Sequence, residues 1–145
     1  MATDPRRTFG GAPSGTPPLR VETVRAQPQA VEAEKAVLGS MLISKEAVGQ
    51  AIEVLRGKEA FYEPRHQLIW AAMMTLYEKN HAIDLVTVSE ELKKRNQLES
   101  CGGYSYLTSL DEHVASPGHV EHYGKIVLDK WTLRRLVDAG RTIAD

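Results

Sequence analysis

Residues 116–145 read SPGHVEHYGKIVLDKWTLRRLVDAGRTIAD, and the architecture of the chain turns on them. After Pro117 the only helix-weakening residues are Gly118, Gly124 and Gly140. The spacing predicts one long helix, which would reach roughly 45 Å at 1.5 Å per residue. Its apolar residues do not form a single narrow stripe. Ile126, Val127 and Leu128 are consecutive and so span about 200° of the circumference, and Trp131, Leu133, Leu136, Val137 and Ile143 extend the apolar surface further. A single small body is not expected to cover all of it. A helix apolar on two faces predicts a covering surface from more chain, another copy or another protein. The sequence reads as if it stops in the middle of an element.

Upstream, the pattern is helical throughout. Val31, Val37, Leu38, Met41 and Leu42 recur at helical spacing in a first helix from about Pro28 to Ser44, with Glu32 and Glu34 near its N-terminus, where carboxylates complement the macrodipole. After a break near Ser44, Ala47, Val48, Ala51, Ile52, Val54 and Leu55 continue as a short second helix that Gly57 is placed to stop. EPRHQLIWAAMMTLYEKN carries a broad apolar stripe (Leu68, Ile69, Ala72, Met73, Leu76, Tyr77) on a third helix, expected to be central, with Pro64 tolerated in its first turn. Thr87 followed by Glu90 fits a capping box for a fourth helix. LVTV before it has no second β-rich run to pair with and is read as an extended lead-in. Gly102 and Gly103 suit a turn before YSYLTSL, a short fifth helix with Tyr106, Leu107 and Leu110 inward. The expected fold is all-α: a multi-helix globular body over 28–115, then the long helix over 116–145.

Composition narrows the function. The 145 residues, 42% of them hydrophobic, suffice for one domain with a real core and no need of disulfides or a structural metal. Five of the seven prolines (Pro5, Pro13, Pro17, Pro18 and Pro28) lie in the first 28 residues, and residues 1–27 lack apolar periodicity and read as a disordered tail with net charge +2. The body carries −4 and the last thirty residues +1. An acidic body is a poor phosphate binder, so little direct DNA binding is expected. One cysteine, Cys101, no apolar run near 18 residues and no secretory signal imply a reduced, cytoplasmic setting away from membranes.

Catalytic chemistry is not encoded in any familiar pattern. Gly57-Lys58 and Gly124-Lys125 lack the rest of a phosphate-binding loop. His113, His119 and His122, with Glu112 and Glu121, lack the cysteines of a structural zinc site and the H-E-x-x-H of a catalytic one, so they read as surface histidines. Cys101 has no adjacent base to activate it. Lys93-Lys94-Arg95 complements a helix C-terminus, while Arg134-Arg135 is as well suited to a partner's acids. His66, in the first turn of helix three, reads as a packed or capping histidine. No catalytic residue and no metal ligand is assigned.

Five stretches in order, VEAEKAVLGSML, FYEPRHQLIWAAMMTLYE, IDLVTVSEELKKR, GGYSYLTSL and HYGKIVLDKWTLRRLVDAGRTI, resemble the N-terminal domain of the bacterial replicative DNA helicases of the DnaB type. The resemblance implies that the long helix is the first arm of a helical hairpin, truncated here, and that the ATP- and magnesium-dependent 5′ to 3′ motor lies in a C-terminal domain absent from this chain. It further implies pairing of such domains into the collar of a hexamer and docking of the C-terminal domain of primase, and leaves room for a helicase loader. By motif position the implied primase contacts are Glu32, Tyr106, Val137 and Ile143. Ile126, Trp131, Leu133 and Leu136 are the candidates for the oligomer interface. A small helical DNA-binding domain is the alternative, resting on the basic clusters. A metal- or thiol-dependent enzyme is a third reading, resting only on the histidines and Cys101.

Overall fold

Nine of the thirteen residues of the first helix, α1 (Val31–Ile43), are buried, and the rest of the chain is arranged around it. The computed structural model describes residues 30–112, 114 and 117–144, with side chains described at all of these except 117 and 142–144. The tail expected at 1–27 lies outside the described residues, as do Pro28 and His113. Six α-helices and three short 3-10 turns follow one another, with no strand among the described residues. They are α1, α2 (Lys45–Leu55), α3 (Pro64–Glu78), α4 (Leu85–Lys94), α5 (Gly103–Asp111) and α6 (Val120–Ala144). Helix α1 packs against α2, α3, α5 and α6, and α4 bridges α3 and α5. The central helix is therefore the first, where the sequence suggested the third. A run of small residues lets neighbours approach α1 from all sides. At Gly39 an added Cβ would press on the Leu110 carbonyl oxygen of α5 and lie 2.7 Å from a methyl of Val114.

The break at Ser44 is a genuine cap: its hydroxyl accepts from the Ala47 N–H and starts α2. Helix α2 ends on Arg56, left-handed at φ 66°, rather than on Gly57. Pro64 opens α3 at its first turn, whereas Pro117 opens a 3-10 turn (Pro117–His119) ahead of α6. The fourth helix departs from expectation. LVTV is its first turn, because Asp84 is the N-cap and Thr87 the third helical residue. Asp84 Oδ1 accepts from the Thr87 N–H and Thr87 Oγ1 from the Asp84 N–H, both at 2.9 Å. A capping box is present, then, but it sits three residues earlier than the Thr87 to Glu90 spacing indicated. Gly102 and Gly103 are left-handed at φ 95° and 75° and admit the tight entry to α5. Leu107 and Leu110 are fully buried there, and Tyr106 is half-buried.

Helix α6 has two regimes. Its first half packs on α1 and α2 through Val120 and Val127, which belong to the core, and through half-buried Tyr123, Ile126, Leu128 and Trp131. Gly124 allows this approach, since an added Cβ would sit 3.1 Å from Val54. Beyond Trp131 every described residue except Arg134 is exposed. No helix among the described residues is long and apolar enough to cross a membrane.

Candidate functional site

The polar centre of the molecule is a carboxylate on the apolar face of α1. Glu34 is 1% exposed and His66, from the first turn of α3, 0%. Glu34 Oε1 accepts from His66 Nδ1 at 2.7 Å, and its two oxygens also take the Tyr62 and Glu63 N–H groups at 2.6 and 3.3 Å. These backbone groups lie at the start of α3, where no side chain of the helix's own N-cap serves them. A carboxylate from another helix supplies the missing cap. With Nδ1–H donating to Glu34, Nε2 accepts the Tyr106 hydroxyl of α5 at 2.6 Å. Burial pushes the Tyr106 hydroxyl above the usual tyrosine range; the Glu63, Glu34 and Glu32 carboxylates add to this and Arg65 opposes it, so it stays a donor. Arg65 lies over the Tyr106 ring at 4.4 Å. The helices α1, α3 and α5 are thus joined at one end by a single hydrogen-bonded line.

Glu32 lies two residues before Glu34 on α1, exposed and paired with Lys35 at 3.4 Å. Glu32 and Tyr106 belong to one end of the body, where the Glu32 carboxylate adds to the upward push on the Tyr106 hydroxyl. The other implied contacts lie on α6. Val137 is 37% exposed, beside Leu133 at 43% and Leu136 at 63%. At 100° per residue the stripe Leu133, Leu136, Val137 and Gly140 is centred about 140° from the one that Val120, Val127, Trp131 and Arg134 turn toward the body. The side chain of Ile143 lies outside the described residues. Ile126 and Trp131 are half-buried against the core, so the interface candidates divide: these two pack on the body, while Leu133 and Leu136 stand clear of it.

The remaining sequence candidates have structural roles. Arg95 pairs with Glu91 at 3.0 Å and reaches the Thr75 hydroxyl, while Lys93 and Lys94 pair with Glu90 and Glu91. The Arg95 hydrogen bond holds the Glu91 carboxyl below its usual range. Arg134 donates to the Ala60 carbonyl at 2.9 Å and lies over the Tyr62 ring, and Arg135 lies over Trp131. Cys101 is buried, and burial pushes its thiol up, away from thiolate chemistry. Among the described residues no group of three or more His, Cys, Asp or Glu is arranged to hold a metal.

The Glu34 line was not singled out in the sequence. Its signal was nevertheless there: Glu34 shares a helical face with Val37, Leu38 and Met41, and a carboxylate on an apolar stripe needs a buried partner.

Comparison with known proteins agrees with the motif order. The family model described as DnaB-like helicase N terminal domain matches residues 26–129. A replicative DNA helicase DnaB of Rhodothermus marinus is 46% identical over 120 residues, covering 83% of this chain and 12% of that protein. The replicative DNA helicase DnaC of Bacillus subtilis is 43% identical over 120 residues, with 83% and 26% covered. The chain therefore spans about a quarter or less of these relatives. A crystal structure of the N-terminal domain of DnaB helicase from Mycobacterium tuberculosis superposes with a TM-score of 0.80 at 40% identity, covering 82% of this chain and 86% of that one. Sequence, fold and helix order together place the chain in the family of DnaB-like helicase N-terminal domains.

Proposed function

We propose that this chain is the non-catalytic assembly and docking module of a replicative DNA helicase. The observation that carries the reading is the outer stripe of α6, where Leu133, Leu136 and Val137 face away from the body they are attached to. Covering a half-exposed Leu or Val contributes about 1 kcal/mol, so the three together favour an occupant by about 3 kcal/mol before ordering costs. At Leu133 and Leu136 the occupant is a helix of a neighbouring N-terminal domain, and repetition of that contact builds the collar of a hexamer.

The end of the body bearing Glu32 and Tyr106, together with Val137 and Ile143 on α6, receives the C-terminal domain of primase and couples unwinding to primer synthesis. Tyr106 suits this role because its ring is partly exposed while its hydroxyl is anchored, so little rotamer freedom is lost on contact. A helicase loader could use the same collar. ATP and magnesium binding and 5′ to 3′ unwinding belong to the parts of the longer relatives that this chain does not span, and the chain alone hydrolyses nothing. The setting is the cytoplasm.

Sedimentation velocity of the chain mixed with the cognate primase C-terminal domain tests the docking. A complex at tens of micromolar is expected, weakened at least tenfold by Val137→Asp or Tyr106→Ala, with the chain still folded by circular dichroism. Unchanged binding by both variants contradicts the assignment.

A further inference from the structure

The two oxygens of Glu34 divide the groups at the start of α3 between them, with the Glu63 N–H on Oε1 at 3.3 Å. Oε1 holds His66, and through it the Tyr106 hydroxyl. Oε2 accepts from the Tyr62 N–H at 2.6 Å. The ring of that same Tyr62 lies 5.3 Å from the guanidinium of Arg134, which donates at 2.9 Å to the carbonyl of Ala60, two residues upstream. Residues 61 to 63 are the extended link between a 3-10 turn and α3, with Phe61 at φ −79°, ψ 132° and Glu63 at φ −77°, ψ 122°. Extended links lack the internal hydrogen-bond ladder of a helix, so their position follows whatever holds them from outside. Here one holder is Glu34, and one of the groups held in turn is Arg134, beyond which α6 stands exposed.

We infer that Glu34 is a positioning residue that couples the Tyr106 end of the body to the angle at which α6 leaves it, through the Tyr62 link and Arg134. A contact that moves Tyr106 changes the load on His66 and Glu34, the link shifts with the carboxylate, and the Arg134 anchor shifts with the link. What the two ends do, docking at one and assembly at the other, rests on the function proposed above. The coupling itself is a property of the folded chain alone.

The test is a double-mutant cycle on the 145-residue chain with Tyr106→Phe, which removes one hydroxyl, and Arg134→Gln, which removes the guanidinium with its hydrogen bond to Ala60 and its contact with the Tyr62 ring. Unfolding equilibrium constants are read from urea titrations. Independent sites multiply to within about twofold. The coupling predicts a double variant that departs from the product of the single effects by threefold or more, and a cycle open by less than threefold overturns it. The indole N–H resonance of Trp131, one turn before Arg134, locates the effect. It shifts in Tyr106→Phe and stays in place in the control Thr108→Ala on the exposed side of α5. An equal response to both variants, or to neither, refutes transmission through Glu34. Neither measurement contains primase or depends on self-association, so failure of the docking reading would appear as absent binding with the cycle still open.

Discussion

Replacing Glu34 should be among the most damaging single changes in the chain, and the structure allows its size to be worked out. Glu34→Ala removes the acceptor for two backbone N–H groups and for His66 Nδ1 in a site where carboxylate and imidazole are both almost fully buried. An orphaned buried donor costs about 1–3 kcal/mol, and breaking a buried ionic or charge-assisted pair from one side costs about 3–5 kcal/mol in total. These figures overlap, because the His66 contact is counted in both, so about 4 kcal/mol is expected for Glu34→Ala. Glu34→Gln keeps the shape and one carbonyl oxygen, but turns an amide donor toward a group that already donates; about 2 kcal/mol is expected. Urea titration followed by circular dichroism measures both, with the slope unchanged if only the folded state is affected. Two variants within 0.5 kcal/mol of the parent, the range of an ordinary surface substitution, would refute the claim that this carboxylate caps α3 and holds His66.

Three further outcomes follow from local geometry. Gly39→Ala should destabilise by about 2 kcal/mol, since its Cβ meets the α5 backbone, whereas Gly49→Ala, with open space around it, should stabilise by about 0.5–1 kcal/mol; thermal melts of the pair compare them directly. Asp84→Ala should cost about 1 kcal/mol by loss of the α4 cap, read by chemical denaturation, and an unchanged midpoint would remove Asp84 from that role. The Asp111 carboxyl is raised by burial first and by Glu112 second, and its Oδ1 has no hydrogen-bond partner among the described residues. A raised carboxyl favours folding below its unfolded-state range and loses that contribution as pH rises through the folded-state value, so Asp111→Asn should stabilise near neutral pH, with the gain shrinking as the solution is made acidic.

Much of the fold was legible because helical periodicity is a long-range signal that small local errors do not erase. The five body helices and the long final helix occur in the expected order, the fourth starting earlier than expected, at Leu85, and the break at Ser44 and the turn at Gly102-Gly103 follow from local chemistry. The misplacements came from competition between neighbours of similar propensity. Asp84 is a better N-cap than Thr87, and once it caps, the β-branched LVTV run is drawn into the helix, where Val88 and Leu92 find the core. Arg56 rather than Gly57 adopts the left-handed conformation because its N–H closes onto Ile52. The Glu34, His66 and Tyr106 line was the harder part, since its members are 32 and 40 residues apart in sequence, and only packing of α1, α3 and α5 brings them together. The outer face of α6, by contrast, was legible in Leu133, Leu136 and Val137, whereas the consecutive Ile126, Val127 and Leu128, read as spreading round the helix, all pack on the body.

The central claim is that the outer stripe of α6 is a contact surface and contributes nothing to the body's own stability. Sedimentation equilibrium of the chain, beside Leu136→Asp and with unfolding measured on the same samples, addresses it most directly. The account predicts that the parent self-associates as concentration rises and that Leu136→Asp abolishes this, since an unpaired charge in an apolar contact is costly, while the unfolding free energy at dilute concentration stays within 0.5 kcal/mol. A Leu136→Asp chain that associates like the parent, or that is strongly destabilised as a monomer, would contradict it.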